Sequence, residues 1–456
     1  MTGSRAAAYK AAVLLLVATR AAIGVALLLL TGCRPAARAA GSASSATPSP
    51  AERPNIVLLV LDAVRADHLG VYGYARETMP FLAGLASQGL VFERAYAPSS
   101  WTPSSMASIF TGLWAHQHGV RTGFAATRTA LKRGETVTLN RIPHGLETLP
   151  EMLKRAGYRT FGASDNLNVG EAMGFVRGFD EFSAKEQGGL RHGKAVAEWR
   201  ESLLQGSPYF LYLHYMAAHA PYRKRAPWYD TNTPGHLASM AAYDSNLSFL
   251  DERIRELHER LAWDRSTLLI VTADHGEEFR DHGGSGHRNA LYEELLRVPL
   301  IAWQPGRLEH RRVAALVSTI DLMPTLREVA GQPPGAKDQG RSLLETVRRG
   351  GDPSRVVFAM RWDDVSAERS EKKAVVTQRH KLILTFPEAQ AELYDLLEDP
   401  AERHDLSREK APLVAALQGQ LEKLEARTSV AKREFSPAVA ITRERAEELR
   451  ALGYVQ

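Results

Sequence analysis

Two features of the 456-residue sequence predict an α/β protein: a large, mostly parallel sheet sandwiched by helices, followed by a smaller C-terminal α+β domain. The first is a set of short unbroken apolar runs at 56–61, 209–213, 268–272 and 298–303, with a fifth candidate at 159–163. Such runs read as parallel strands buried on both faces. The second is the helical patterning between them. It is clearest in Tyr243, Leu247, Leu250, Ile254, Leu257 and Leu261, whose steps of four and three place them on one helix face. After Gly340 the texture changes. Segments become shorter and more charged at 356–360, 373–377 and 381–384, and a helical stretch follows at 442–452. The boundary is expected near residue 345, which separates a domain at 54–345 from one at 346–456.

Apolar residues make up 44% and charged residues 24%, the proportions of an ordinary globular protein. The net charge is +5, and Arg5, Lys10 and Arg20 within the first 32 residues account for three of it. The near-neutral remainder gives no electrostatic case for a nucleic-acid partner. Cys33 is the one cysteine, so no intrachain disulfide can form. It follows an acid-free basic segment, an apolar run at 21–30 and then Leu30-Thr31-Gly32, which resembles the lipobox of bacterial lipoproteins. On that reading residues 1–32 are a lipoprotein signal peptide and 33–53, rich in Ala, Ser, Pro and Gly, are a flexible tether. The chain is then extracytoplasmic and tied to a bacterial membrane through lipidated Cys33. The competing reading is an uncleaved anchor at 11–30. It would place Arg20 mid-span, at a cost of about 2.5–3.5 kcal/mol. Both readings put the body outside the cytoplasm.

In open α/β sheets, ligands sit beyond the C-terminal ends of the strands. The run 56–61 leads into Asp62, 268–272 leads toward Asp274-His275, and 209–213 leads into His214 and, a few residues later, His219. Carboxylates and imidazoles on one rim are metal-ligand types. An isolated Asp after a strand is more often a helix N-cap, whereas an adjacent Asp-His pair needs partners that a purely structural role does not readily supply. Farther on, Trp101-Thr102-Pro103-Ser104-Ser105 predicts a helix with Thr102 as N-cap and Pro103 in its first turn. A hydroxyl there would face the positive end of a helix dipole, although plain capping explains it as well.

Several ordered blocks resemble the sulfatase family of the alkaline-phosphatase superfamily. They are Pro54 to Asp62 with Arg65-Ala66-Asp67-His68-Leu69-Gly70; Ala107 to Gly112 with His116-Gln117-His118-Gly119; and His214 to Tyr222 with His219-Ala220-Pro221-Tyr222. Thr272-Ala273-Asp274-His275-Gly276-Glu277, followed by His282-Gly283, His287 and Tyr292 to Leu300, is the most specific block, and Asp321 to Leu326, Glu392 to Asp399 and Leu449 to Tyr454 complete the set. The resemblance implies an alkaline-phosphatase-like fold and a metal-dependent ester hydrolase.

The departures are informative. Sulfatases use a formylglycine made from Cys or Ser, followed by Pro and Arg. Counting back from Thr111-Gly112 puts Thr102 at the nucleophile position, Ser104 at the Pro and Met106 at the Arg. Threonine cannot be oxidised to that aldehyde, and Ala63 replaces the second acid of the family's opening Asp-Asp pair. These features resemble the single-metal phosphoethanolamine transferases and lipoteichoic acid synthases, whose Thr binds Zn²⁺ or Mn²⁺ directly. The resemblance implies one divalent ion (Zn²⁺ or Mn²⁺, with Ca²⁺ a third candidate) held by Asp62, Thr102, Asp274 and His275. It further implies catalysis by Thr102, His219 and His287 on an anionic ester, a sulfated or phosphorylated glycan, lipid or small molecule. His116, His118 and His282 stay undecided between site and surface. The alternatives are transfer of the phosphoryl group to an alcohol acceptor, or a catalytically inactive lipoprotein that binds glycans.

Overall fold

The computed structural model describes residues 53–124, 138–184, 190–206, 208–287, 289–363, 370–428 and 439–440. The signal segment, Cys33, most of the tether and the helix expected at 442–452 lie outside the described residues.

Among the described residues, nine strands form one sheet: β1 (Asn55–Leu61), β2 (Leu90–Tyr96), β3 (Arg159–Ser164), β4 (Glu181–Ala184), β5 (Tyr209–Tyr215), β6 (Thr267–Thr272), β7 (Arg297–Val298), β8 (Leu300–Trp303) and β9 (Arg311–Ser318). The order along the sheet is β7-β2-β8-β6-β1-β5-β3-β4, with β9 on the other edge of β2. β6, β1, β5, β3 and β4 run parallel. Their near-continuous apolar content follows from burial on both faces, and no residue of β5 or β6 is exposed.

Two layers of helices cover the sheet. α1 (Pro80–Ala86), α4 (Leu190–Leu204) and α5 (Ala238–Leu261) pack together, as do α2 (Thr102–Thr111), α3 (Leu149–Arg155) and α6 (Leu322–Val329). α5 buries the residues its periodicity selected, from Tyr243 to Leu261.

Two expectations are corrected. The run 298–303 is not a parallel strand. Pro299 divides it into β7 and β8, and β8 is antiparallel to both β6 and β2. After β6 the chain returns from the same rim without a crossover, so the returning strand must run in the opposite direction. Thr102 is not the N-cap of α2: Trp101 holds that position, in an extended conformation, and Thr102 begins the helix.

The C-terminal part is β-rich. Antiparallel strands β10 (Val357–Asp363), β11 (Ser370–Val376), β12 (His380–Phe386) and β13 (Gln390–Asp395) form a sheet in sequence order, and α7 (Ala411–Thr428) packs on β11 and β12. Its core continues into the larger sheet. Val375, Leu382, Leu393 and Leu421 share one apolar cluster with Tyr96, Leu296, Leu316 and Ile320. Fully buried Lys381 bridges the seam, 3.0 Å from Glu293 Oε1 and 2.8 Å from Glu402 Oε1.

Candidate active site

Register brings the functional side chains to one level. Val60 pairs with His214 on one side and with Thr272 on the other, and Ser164 pairs with His214. β1, β5, β6 and β3 therefore end together, and Asp62, His214, Asp274 and Asn166 gather at the rim. Asp62, His214, Asp274 and His275 are all fully buried. Such burial requires partners, and the partners define the site.

Asp274 Oδ1 accepts the backbone N–H groups of Ala63 (3.2 Å) and His275 (3.0 Å). Asp62 Oδ2 accepts from Asn166 Nδ2 (2.6 Å) and lies 3.0 Å from His214 Nε2. The other oxygen of each carboxylate, Asp62 Oδ1 and Asp274 Oδ2, is buried without a hydrogen-bond partner. His275 Nε2 faces both of them, 3.9 Å from Asp62 Oδ1 and 3.4 Å from Asp274 Oδ2. It also lies 3.0 Å from Thr102 Oγ1. The four residues expected to share an ion thus converge. Burial raises the pKa of Asp62, but the hydrogen bond from His214 and the charges of His219, His214 and His275 outweigh it and hold Asp62 well below the usual carboxylate range.

α2 brings Thr102 here, and Ser105 ties it in place by donating to Asp274 O at 2.6 Å. Ser104 donates to Val120 O at 2.8 Å. Both rival hydroxyls are therefore committed to carbonyls. Met106, at the position of the family's Arg, is buried in the core. Ala63, in place of the second acid, has a left-handed backbone (φ 61°), a strained state for a residue with a Cβ. Gly276 is required by close approach, since a Cβ there would lie 1.9 Å from Glu294 O.

His287 and His219 stand beside this group, half-buried. The His287 ring is centred 4.3 Å from that of His275 and 4.9 Å from that of His219. Glu277, which sequence reasoning missed as a site residue, is buried behind them. Its Oε1 is 3.1 Å from His287 Nδ1, and its Oε2 accepts from the Tyr222 hydroxyl at 2.9 Å. Burial lowers the pKa of His219, but Asp62 and Glu277 more than reverse this and raise it. Burial and nearby His275 lower that of His287. Asn166 was also missed, although it follows β3 by the same two residues as Asp274 follows β6; Glu277 lies in the same block as His275 and could have been weighed.

Two of the three undecided histidines have partners away from the carboxylate pair. His118 is buried, accepts from Val120 N at Nδ1 (3.1 Å) and faces Ser108 Oγ at 2.9 Å. His282 lies between Glu294 Oε1 (2.8 Å) and Glu402 O (3.1 Å) and stacks on Tyr292.

Comparison with known proteins agrees with this fold. Residues 54–332 match the family described as Sulfatase, and residues 281–427 match N-sulphoglucosamine sulphohydrolase, C-terminal. Human N-acetylgalactosamine-6-sulfatase is 27% identical over 387 residues, covering 72% of this chain and 71% of that protein. The Delta 4,5-hexuronate-2-O-sulfatase of Bacteroides thetaiotaomicron is 23% identical over 428 residues, covering 78% and 85%. Among solved structures, a 2-O GAG sulfatase superposes with a TM-score of 0.68 at 20% identity, covering 83% of this chain and 93% of its own. The phosphonate monoester hydrolase of Agrobacterium radiobacter does so with a TM-score of 0.68 at 17% identity, covering 85% and 99%. The structural likenesses establish the fold. The Sulfatase match, which spans more than half of the sequence and every strand from β1 to β9, shows that this chain belongs to the sulfatase family of sulfuric ester hydrolases.

Proposed function

We propose that the protein hydrolyses a sulfate or phosphate ester through a covalent Thr102 intermediate, at one divalent ion held by Asp62, Asp274, His275 and the Thr102 hydroxyl. The carrying observation is the pair of buried, unpartnered carboxylate oxygens, Asp62 Oδ1 and Asp274 Oδ2, facing His275 Nε2. Two carboxylates, an imidazole and a hydroxyl suit Zn²⁺ or Mn²⁺, with Ca²⁺ the third candidate. When bound, such an ion supplies the charge that lowers the Thr102 pKa and offsets the charge of the ester.

Thr102 loses its proton to solvent, and its Oγ1 attacks sulfur or phosphorus. The Thr102 O–S or O–P bond forms as the bond to the leaving oxygen breaks. His219 gives its proton to the departing alcohol, while His287, held by Glu277, hydrogen-bonds a non-bridging oxygen. Water then attacks the Thr102 ester and returns a proton to His219; inorganic sulfate or phosphate leaves, and Thr102 regains its hydrogen. Similarity to N-acetylgalactosamine-6-sulfatase and a hexuronate-2-O-sulfatase supports a sulfated glycan as the ester. The test is a metal analysis of purified protein together with turnover of aryl sulfate, aryl phosphate, phosphodiester and sulfated sugar substrates. Absence of metal at stoichiometric level, or turnover unchanged in Thr102→Ala, would overturn the reading.

The proposal extends to location. Cys33 follows Leu30-Thr31-Gly32 and precedes a tether rich in Ala, Ser and Pro, which supports lipidation and an extracytoplasmic, membrane-tied protein. Cys33→Ser is expected to move the protein from the membrane to the soluble fraction or leave it unprocessed. An intact mass showing a chain that still begins at Met1 would refute this.

A further inference from the structure

Two histidines stand at the carboxylate pair, and their hydrogen bonds put them in opposite tautomers. His275 Nδ1 is 2.8 Å from Gly276 O. A carbonyl only accepts, so Nδ1 carries the hydrogen and Nε2 keeps a bare lone pair. That lone pair faces Thr102 Oγ1 at 3.0 Å and the two unpartnered carboxylate oxygens. His214 is the reverse. Its Nε2 is 3.0 Å from Asp62 Oδ2, which as a carboxylate oxygen only accepts, so Nε2 carries the hydrogen. Its Nδ1 is 2.9 Å from the Tyr212 hydroxyl, which donates to it when the ring is neutral. Both ring nitrogens are engaged. Distance alone would make His214 a third ligand, since a ring nitrogen lies within 4.8 Å of carboxylate oxygens of both Asp62 and Asp274.

Asn166 completes the arrangement. Its Oδ1 accepts from Asn168 N at 2.9 Å, which fixes the amide so that Nδ2 points to Asp62 Oδ2 at 2.6 Å. Two donors thus saturate Asp62 Oδ2 and leave Oδ1 as the free oxygen.

We infer that His214, backed by Tyr212 and joined by Asn166, is a positioning residue that turns Asp62 Oδ1 toward the ion, and that His275 is the one imidazole ligand. This rests on the metal reading above. Removing such an outer partner commonly weakens metal affinity about 10–100-fold.

The experiment loads metal-free protein with Zn²⁺ alone, counts imidazoles by X-ray absorption at the zinc edge, and measures Kd by calorimetry. One imidazole is expected in the wild type, in His214→Gln and in Tyr212→Phe. Affinity should fall about 10–100-fold in His214→Leu and recover in part in His214→Gln, whose amide can still donate to Asp62. Two imidazoles in the wild type, or loss of an imidazole in His214→Gln, would overturn the inference and leave the metal reading standing. The wild-type count needs no variant, so a misfolded His214→Leu does not spoil the test. Failure of the wild type to bind zinc stoichiometrically would sink the metal reading itself, and this inference with it.

Discussion

Thr102 and Ser105 lie close together on α2, yet their hydroxyls have different fates. Ser105 spends its hydrogen on Asp274 O, whereas Thr102 Oγ1 faces His275 Nε2. Thr102→Ala is therefore expected to lower kcat by roughly 10³-fold or more while zinc binding and the far-ultraviolet spectrum persist; Thr102→Ser should retain measurable turnover. Ser105→Ala should act differently, by loosening α2 from β6, and should lower thermal stability as well as rate. At this scale the sequence was legible wherever an apolar run stopped at a polar residue, as at Asp62 and Asp274-His275. It was illegible where a partner arrives from elsewhere. Asn166 reaches Asp62 across 104 positions, and although it follows the strand β3 its amide does not say which partner it meets. His214 could be read as lying on the rim, but its tautomer depends on Asp62 and Tyr212, which only the folded sheet brings to its two nitrogens.

Among the elements, long apolar runs were readable and half-exposed strands were not. β1 and β6 each hold an unbroken apolar run, but β2 carries Glu93 and Arg94 in mid-strand, both half-buried, and β9 opens with two exposed arginines. Charges interrupt the apolar residues of β2 and precede the run 313–317 of β9, and neither strand was expected. The antiparallel course of β8 depends on how the chain returns from the rim, which composition does not encode. Helix ends supply two tests. Asp251 on α5 accepts from Phe81 N (2.8 Å) and Leu82 N (2.9 Å), and so caps α1 from a distance. Asp251→Ala should cost about 1–2 kcal/mol in urea unfolding. The turn Ala115–His118 gives a pH test. Burial, helped by His116 and Arg121, pushes the His118 pKa down from 6.5 to about 3. The unfolded chain therefore takes up the proton first. The stability His118 contributes is complete above pH 6.5 and is lost as pH falls toward about 3, at up to about 1.4 kcal/mol per pH unit. His118→Gln should show a shallower acid loss than the wild type in parallel denaturation curves. Identical slopes would refute this account.

For the whole molecule, the buried seam predominates. Lys381 holds Glu293 and Glu402, and Arg355 meets Asp321 at 2.6 Å, so the β-rich part is joined to the larger sheet by buried charges as well as a shared apolar cluster. Calorimetry should show one unfolding transition. Two separated transitions would mean that the seam opens independently. Stripping the metal with a chelator should lower Tm by on the order of 3 °C, the scale set by linkage at about 100-fold excess over Kd; no change would count against an ion at Asp62 and Asp274. The change in texture after Gly340 did announce the smaller part, but the shared core did not show in the sequence, because its halves come from segments far apart. The return of β8 beside β6 has a consequence for how such a protein can diversify. Thr272 and Leu300 are partners in adjacent strands, so the excursion between them starts and ends at one spot on the rim, touching the sheet on the way through β7, which pairs with β2. It carries Asp274, His275, Glu277 and His287 together. A segment bounded this way can be exchanged as a cassette: any replacement must bridge the same gap of about 5 Å between strands, and doubling its length adds only about 0.6 kcal/mol of closure entropy. Asp62 and Thr102 stay behind on the framework, so an exchange that keeps Asp274 and His275 for the proposed ion would vary Glu277 and His287 opposite them.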